Sequence, residues 1–530
     1  MDSQIKARTL KVPLTNVYAK GDYSAQLQLG SRAQRVNLIL DTGSSTLVVN
    51  QSAYRPQDDN LLTATSLAQE VNYGIGGWDG PVVTTRVALC EGKSEEKCED
   101  EIAFDTHQPH LHLAHQPLVL DACPLAIVSS VKQQQAFGDA DGILGLGYHH
   151  LNKSYDLKSY LESHQHSPAV TYPWPFADDK DNCQSAISKS NSQSNTDDNN
   201  HNKTQPAFNS EDLKQFKQFL WQQPEQDLIP YFTSLEEHGL TANKFAFYSR
   251  RSSIHVTNGD LSPQQLANDP LNQGWLILGG GEEHTELYQG EFHTIRVDHD
   301  IYYNVTLTSI RVGDQIPIPA PALETKYCKN YYSNAIVDTG ASAIALTEPL
   351  YQAMLTSLKA ISPTFAPLIA PFKEISAQER GIDASFLDLS QWPDITFTFV
   401  GDTDMSINRD LNEDAVLRAG TDVSVGTDRS VAPDKSAAPD KSAAPDKSVG
   451  TDKRVETQSR SQQAVSIVCR PESYWQLNAP GEGKACFKIL SQLPNWPNQT
   501  LLGLPLLNDH LVIFDRSAHR TGVIRFAKQR

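Results

Sequence analysis

Two segments of this chain carry an apolar run into Asp-Thr-Gly. They are Leu38-Ile39-Leu40-Asp41-Thr42-Gly43-Ser44-Ser45 and Ala335-Ile336-Val337-Asp338-Thr339-Gly340-Ala341-Ser342. Each then re-enters apolar sequence, through Leu47-Val48-Val49 and through Ala343-Ile344-Ala345-Leu346. The pattern predicts strand, tight loop, strand, twice over. The Asp is the only charged residue of each segment, and at the tip of a buried loop its carboxyl needs hydrogen-bond donors. Thr42, Ser44 and the backbone N–H groups around Gly43 can supply them, and glycine lets the backbone come close.

Two such loops predict two pseudo-symmetric lobes that meet Asp to Asp. Carboxyls sharing one site cannot both ionise easily, so the pair holds one proton over a range of acidic pH. A water between them can lose a proton to one carboxylate while the other donates to a substrate carbonyl. One Asp-Thr-Gly arises readily by chance, whereas two in matched apolar settings form a specific signal. From the residues alone two other readings stay open. One is a pair of ordinary Asp-capped turns. The other is the phosphate loop of actin-like kinases and ATPases, with Leu278-Gly279-Gly280-Gly281 as nucleotide loop.

Further segments carry a family resemblance. Asn72-Tyr73-Gly74-Ile75-Gly76-Gly77-Trp78-Asp79-Gly80 resembles the flap hairpin of the pepsin-family aspartic proteases, and Asp141-Gly142-Ile143-Leu144-Gly145-Leu146-Gly147 resembles their first apolar-apolar-Gly segment. Leu276–Gly280 and Trp392–Phe397 resemble second-lobe strands; Leu501-Leu502-Gly503, Val512–Arg516 and Thr521–Ile524 resemble the family's C-terminal end. The aspartic proteases are the standard instance of the shared-proton dyad, so that logic arrives with the resemblance.

The resemblance implies an all-β, mainly antiparallel, bilobal pepsin-like fold with short helices and disordered insertions. The expected lobes are 1–250, with an insertion at about 178–210, and 251–530, with a low-complexity insertion at about 402–465. It implies an aspartic endopeptidase acting at acidic pH, with Asp41 and Asp338 catalytic and hydrophobic side chains preferred on both sides of the scissile bond. Thr42, Ser44 and Thr339 would support the dyad. Tyr73, Gly74, Gly76, Gly43 and Gly340 would lie along the substrate. No metal or organic cofactor is expected. Expected partners are peptide or protein substrates and statine-type peptide inhibitors, and the chain is expected to act as a monomer. An inactive pepsin-fold binding or inhibitor protein is the alternative from another class; the presence of both Asp residues counts against it.

Two departures from the family pattern bear on chemistry. Val48 stands where many members carry a Trp that supports the flap tyrosine by a hydrogen bond, which valine cannot donate. Ala341 stands where the first loop has Ser44, so Asp338 lacks a hydroxyl donor that would favour its ionised form, and its pKa is expected to be higher for that reason. Trp78 at the expected hairpin tip either stacks on substrate or caps the hairpin.

Composition sets outer bounds. At 530 residues there is length for two lobes and insertions, and the net charge of −18 argues against nucleic acid as partner. No apolar run reaches the length of a membrane span. Met1–Arg8 lacks an apolar core and a small-residue cleavage site, so no secretory signal is expected there. With strand-like sequence at Leu10–Leu14 and Tyr23–Leu29, no inhibitory prosegment is expected before Asp41. This too resembles bacterial pepsin homologues made without one. A cytoplasmic location is expected, with periplasmic or secreted as alternatives. Seven cysteines fit a reducing compartment, although Cys90 with Cys98 and Cys469 with Cys486 could pair locally.

The remaining chain divides by pattern. Residues 71–89 predict a β-hairpin, which over the dyad would exclude water and bind an extended peptide. His107, His110, His112 and His115 are irregularly spaced and read as a solvated loop rather than a metal site. Asn182–Pro206 is polar and disordered by composition. Tyr231–Leu240 predicts a short helix stopped by Gly239, followed by a strand over Lys244–Tyr248. Asn258–Asn268 reads as a loop, Gly274–Gly280 as the start of the second lobe's sheet, and Glu348–Ile361 as a helix with Leu350, Met354, Leu355 and Leu358 on one face. Ser424–Lys453 is five hexapeptides of the Ser-Ala-Ala-Pro-Asp-Lys kind, a solvated, linker-like insertion.

Overall fold

A computed structural model of the chain describes residues 8–73, 76–90, 117–131, 137–173, 218–374, 376–402 and 463–530. The expected insertions at about 178–210 and 402–465, the four loop histidines and the hexapeptide repeat lie wholly or almost wholly outside the described residues, as do Gly74 and Ile75. The chain divides into residues 1–401 with 464–530, and residues 402–463; the fold below is that of the first unit.

The fold is mainly β, with short helices. Its strands form sheets of sixteen, five, four and three. The strand Gln34–Asp41 shows why alternation matters. Leu38 and Leu40 point into the main apolar core, whereas Ile39 points to the other face and joins a second cluster with Val48, Trp78, Ala126, Val128 and Phe137. Side chains alternate sides along a strand, so Asp41 leaves the strand at a fixed height between these two packed layers. Each buried Leu contributes roughly 1.5–3 kcal/mol, enough for the layers to fix the loop.

Both Asp loops are built alike. In the first, Gly142–Gly145 runs parallel to Gln34–Asp41 and antiparallel to Leu47–Asn50. In the second, Thr500–Leu502 runs parallel to Ala335–Val337 and pairs antiparallel with Ile344–Leu346 at Ala345 and Leu501. Each loop is therefore closed by a strand arriving from elsewhere in the sequence. Leu146 N donates to Asp41 O at 2.7 Å, and Asp338 N donates to Leu502 O at 3.0 Å.

The hairpin forms as expected. Thr63–Tyr73 pairs antiparallel with Gly76–Leu89 in a register ending at Tyr73 opposite Gly76. Trp78 is not at its tip. It lies opposite Val71 within the second strand, 1% exposed, packed in the cluster that contains Val48. It therefore neither stacks on a ligand nor caps the turn.

Helices Tyr231–Glu237 and Glu348–Ile361 and the strand Lys244–Tyr248 appear where expected. Leu350, Met354 and Leu358 are buried with Tyr351, while Leu355 is only partly buried. Three expectations are corrected. Asn258–Asn268 is not all loop: Pro263–Ala267 is helical, started by a reciprocal capping box between Ser262 and Gln265. Gln273–Leu278 pairs with Leu10–Ala19 on one side and Lys244–Tyr248 on the other, so it joins the sixteen-stranded sheet with the chain's first strand. Cys469 and Cys486 are both free and buried, so they form no bridge. Cys90 is disulfide-bonded. No helix among the described residues is long and apolar enough to cross a membrane.

Candidate active site

The two loops meet through their threonines. Thr42 N donates to Thr339 Oγ1 at 3.0 Å, and Thr339 N donates to Thr42 Oγ1 at 2.9 Å. Each hydroxyl then donates across to the opposite strand, Thr42 to Val337 O at 3.0 Å and Thr339 to Leu40 O at 2.8 Å. Both side chains are fully buried. Four hydrogen bonds in a dry interior fix the loops as one body, because breaking any of them strands a buried polar group.

This lock brings the carboxyls together. Asp41 Oδ1 accepts from Gly43 N at 2.7 Å, and Asp338 Oδ1 accepts from Gly340 N at 2.8 Å. Each carboxyl also lies over the opposite loop's glycine. A Cβ at Gly43 would stand 2.7 Å from Asp338 Oδ2, and one at Gly340 would stand 2.6 Å from Asp41 Oδ1. Only glycine leaves that room. Burial, then the charge of Asp41 and a hydrogen bond with it, push the Asp338 carboxyl well above the usual range, against the opposing N–H of Gly340. The arrangement can hold a proton on one carboxyl beside an acceptor on the other.

Ser44 does not take the place expected for it. Its Oγ is buried without a hydrogen-bond partner. Asp41 Oδ1 is already engaged by Gly43 N. The neighbouring hydroxyl of Ser45 is engaged instead, donating to Tyr148 O at 2.5 Å. Tyr73 and Gly76 lie at the hairpin's end through their backbones, and Gly74 lies outside the described residues.

Two further residues that sequence reading missed lie within electrostatic reach of the carboxyls. Tyr302 is close enough to both carboxyls that, after burial, Asp338 and then Asp41 push its phenol upward. Asp22, at the start of the strand Asp22–Leu29, has a buried Oδ1 with no partner. Burial raises its carboxyl to about 8, with Lys488 opposing and Asp41 reinforcing. Nothing local marks either residue, since their importance comes from what the fold places beside them.

The Gly279–Gly281 turn has no room for a nucleotide phosphate. Gly281 N donates to Glu283 Oε2 at 2.8 Å, so a carboxylate already occupies the anion position that a phosphate would need.

The fold and the paired carboxyl loops are those of a pepsin-like aspartic peptidase. The family model described as eukaryotic aspartyl protease matches residues 263–528, half of the chain. The chain belongs to this pepsin-type family and is an aspartic-type peptidase. The matched segment contains Asp338; Asp41 is tied to it by the threonine lock.

Proposed function

We propose that Asp41 and Asp338 together activate one water for attack on a peptide carbonyl. The observation that carries this is the reciprocal threonine lock, which sets each carboxyl over the opposite glycine. Asp338, with its raised pKa, holds the shared proton, and Asp41 acts as base. Asp41 takes a proton from the water as its oxygen bonds to the scissile carbon, while Asp338 gives its proton to the carbonyl oxygen. Collapse of the tetrahedral diol returns a proton to the amide nitrogen as the C–N bond breaks. The step balances with peptide, water and the two acids alone.

The substrate would lie extended beneath the hairpin of Thr63–Tyr73 and Gly76–Leu89, bonded through its main chain, with Gly43 and Gly340 beneath it. Tyr73 would close on it from above. The preference for hydrophobic residues around the scissile bond rests on the resemblance to the pepsin family. The test is cleavage of a peptide library at acidic pH. Cleavage should be blocked by a statine-type peptide and preserved after exhaustive chelation. Cleavage that is indifferent to the statine peptide overturns the proposal.

A further inference from the structure

Arg516 follows the strand His510–Asp515 and is 9% exposed. The carboxylate beside it in sequence, Asp515, is taken by Arg525 at 2.7 Å. The Arg516 guanidinium instead lies among aromatic rings, 4.6 Å from the centroid of Tyr148, 4.9 Å from Phe232 and 5.6 Å from Tyr303. Its Nε donates to Tyr303 Oη at 2.7 Å, and its Nη2 donates to Gly147 O at 2.8 Å and to Leu146 O. A buried cation without a carboxylate is costly unless its donors are satisfied and rings face it.

The residues that accept from it are hydrogen-bonded in turn to both Asp loops or the strands that lead into them. Leu146 N donates to Asp41 O at 2.7 Å, and Gly147 N donates to Ser44 O at 2.6 Å. The Leu146–Gly147 segment is thus held by the first Asp loop on one edge and by the guanidinium on the other. Tyr303 Oη donates to Leu146 O at 3.0 Å, and Tyr303 O accepts from Val337 N at 3.1 Å, one residue before Asp338. One planar fork therefore stands one residue behind each dyad loop. An ammonium could not meet Tyr303 and the two carbonyls together, because it lacks the fixed fork.

We propose that Arg516 is a positioning residue for the dyad, setting the relative placement of Asp41 and Asp338 through Leu146–Gly147 and Tyr303. This rests on the two-aspartate reading above. The threonine lock joins the loops at their tips, and Arg516 fixes them from behind. Loosening the rear contact would shift one carboxyl against the other and admit water. Water entry would lower the Asp338 carboxyl, since burial is the main cause of its raised value.

The test compares wild type, Arg516→Lys and Tyr303→Phe, with active sites counted by titration against a tight statine-type peptide. Tyr303→Phe removes the hydroxyl without opening a cavity and serves if Arg516→Lys does not fold. The expected result is a kcat per titrated site lower by roughly ten- to a hundredfold in Arg516→Lys and by a smaller factor in Tyr303→Phe. KM should stay within about twofold, as expected where only transition-state placement is lost. The alkaline limb of the kcat profile should move to lower pH. Wild-type kcat per site and an unmoved pH profile, with only a lower melting temperature, would overturn the proposal and leave Arg516 a purely structural residue. Cleavage that persists in Asp338→Asn would instead remove the two-aspartate reading, so the two failures are distinguishable.

Discussion

Thr42 and Thr339 each give their backbone N–H to the other's side-chain hydroxyl, at 3.0 and 2.9 Å. The exchange joins residues from the two halves of the chain, both fully buried. Replacing Thr339 by Val keeps the shape but leaves Thr42 N–H and Leu40 O unpaired in the interior. Each orphaned group costs about 1–3 kcal/mol, so Thr339→Val should lose about 2–4 kcal/mol in urea denaturation. Thr42→Val should lose a similar amount. The double variant should lose less than the sum, because both changes break one network.

Ser44→Ala is expected to leave both stability and the pH–rate profile close to wild type. The Ser44 hydroxyl is buried and unpartnered, and removing a polar group with no partner is neutral or mildly stabilising. Ala341→Thr tests the other loop. A hydroxyl there that reaches Asp338 would favour its ionised form, so the alkaline limb of activity should move to lower pH. Superimposable profiles for wild type and Ala341→Thr would contradict that role for position 341.

Asp22 predicts a pH dependence of stability. Its carboxyl is raised to about 8 in the fold from 3.8. Between those values the folded chain keeps a proton that the unfolded chain has lost. The contribution is fully present below about pH 4 and is lost as pH rises through the folded value near 8. Asp22→Asn never ionises, so it should match wild type near pH 4 and exceed it near pH 7 when both are unfolded by denaturant. A constant difference at the two pH values would contradict the assignment.

Trp78 and Val48 share one apolar cluster under the hairpin. Trp78→Ala should destabilise by about 3–5 kcal/mol through the cavity it opens and raise KM for peptide by freeing the hairpin base. Val48→Trp alone should overpack and cost about 1–3 kcal/mol. In the combined variant the new indole can refill the vacated volume. Its melting temperature should therefore lie above that of Trp78→Ala, a coupling read directly from the double-mutant cycle.

The Asp loops were legible because each carries its own signature, an apolar strand on both sides of a short polar turn. The helix Glu348–Ile361 was legible for the same local reason, a clear helical period. The partner of Gln273–Leu278 was not, because alternation says that a strand has two faces and not which neighbour it meets. Pro263–Ala267 did carry a signal, Ser262 with Gln265 around a first-turn proline, but a single turn offers no hydrophobic period to support it. Ser44, Tyr302 and Asp22 could not be placed from sequence, since hydroxyl geometry and carboxyl burial depend on segments that converge only in the fold.

The account depends most on Asp41 and Asp338 acting as one unit. The direct measurement is kcat/KM at acidic pH for Asp41→Asn, Asp338→Asn and the double variant, after confirming that each binds a statine-type peptide or melts like wild type. Each single change should lower kcat/KM by on the order of ten-thousandfold, with the double change no worse than the more damaging single one, because groups that work as a unit are lost together. A single variant that retains activity within about tenfold of wild type, or two losses that multiply, would contradict it.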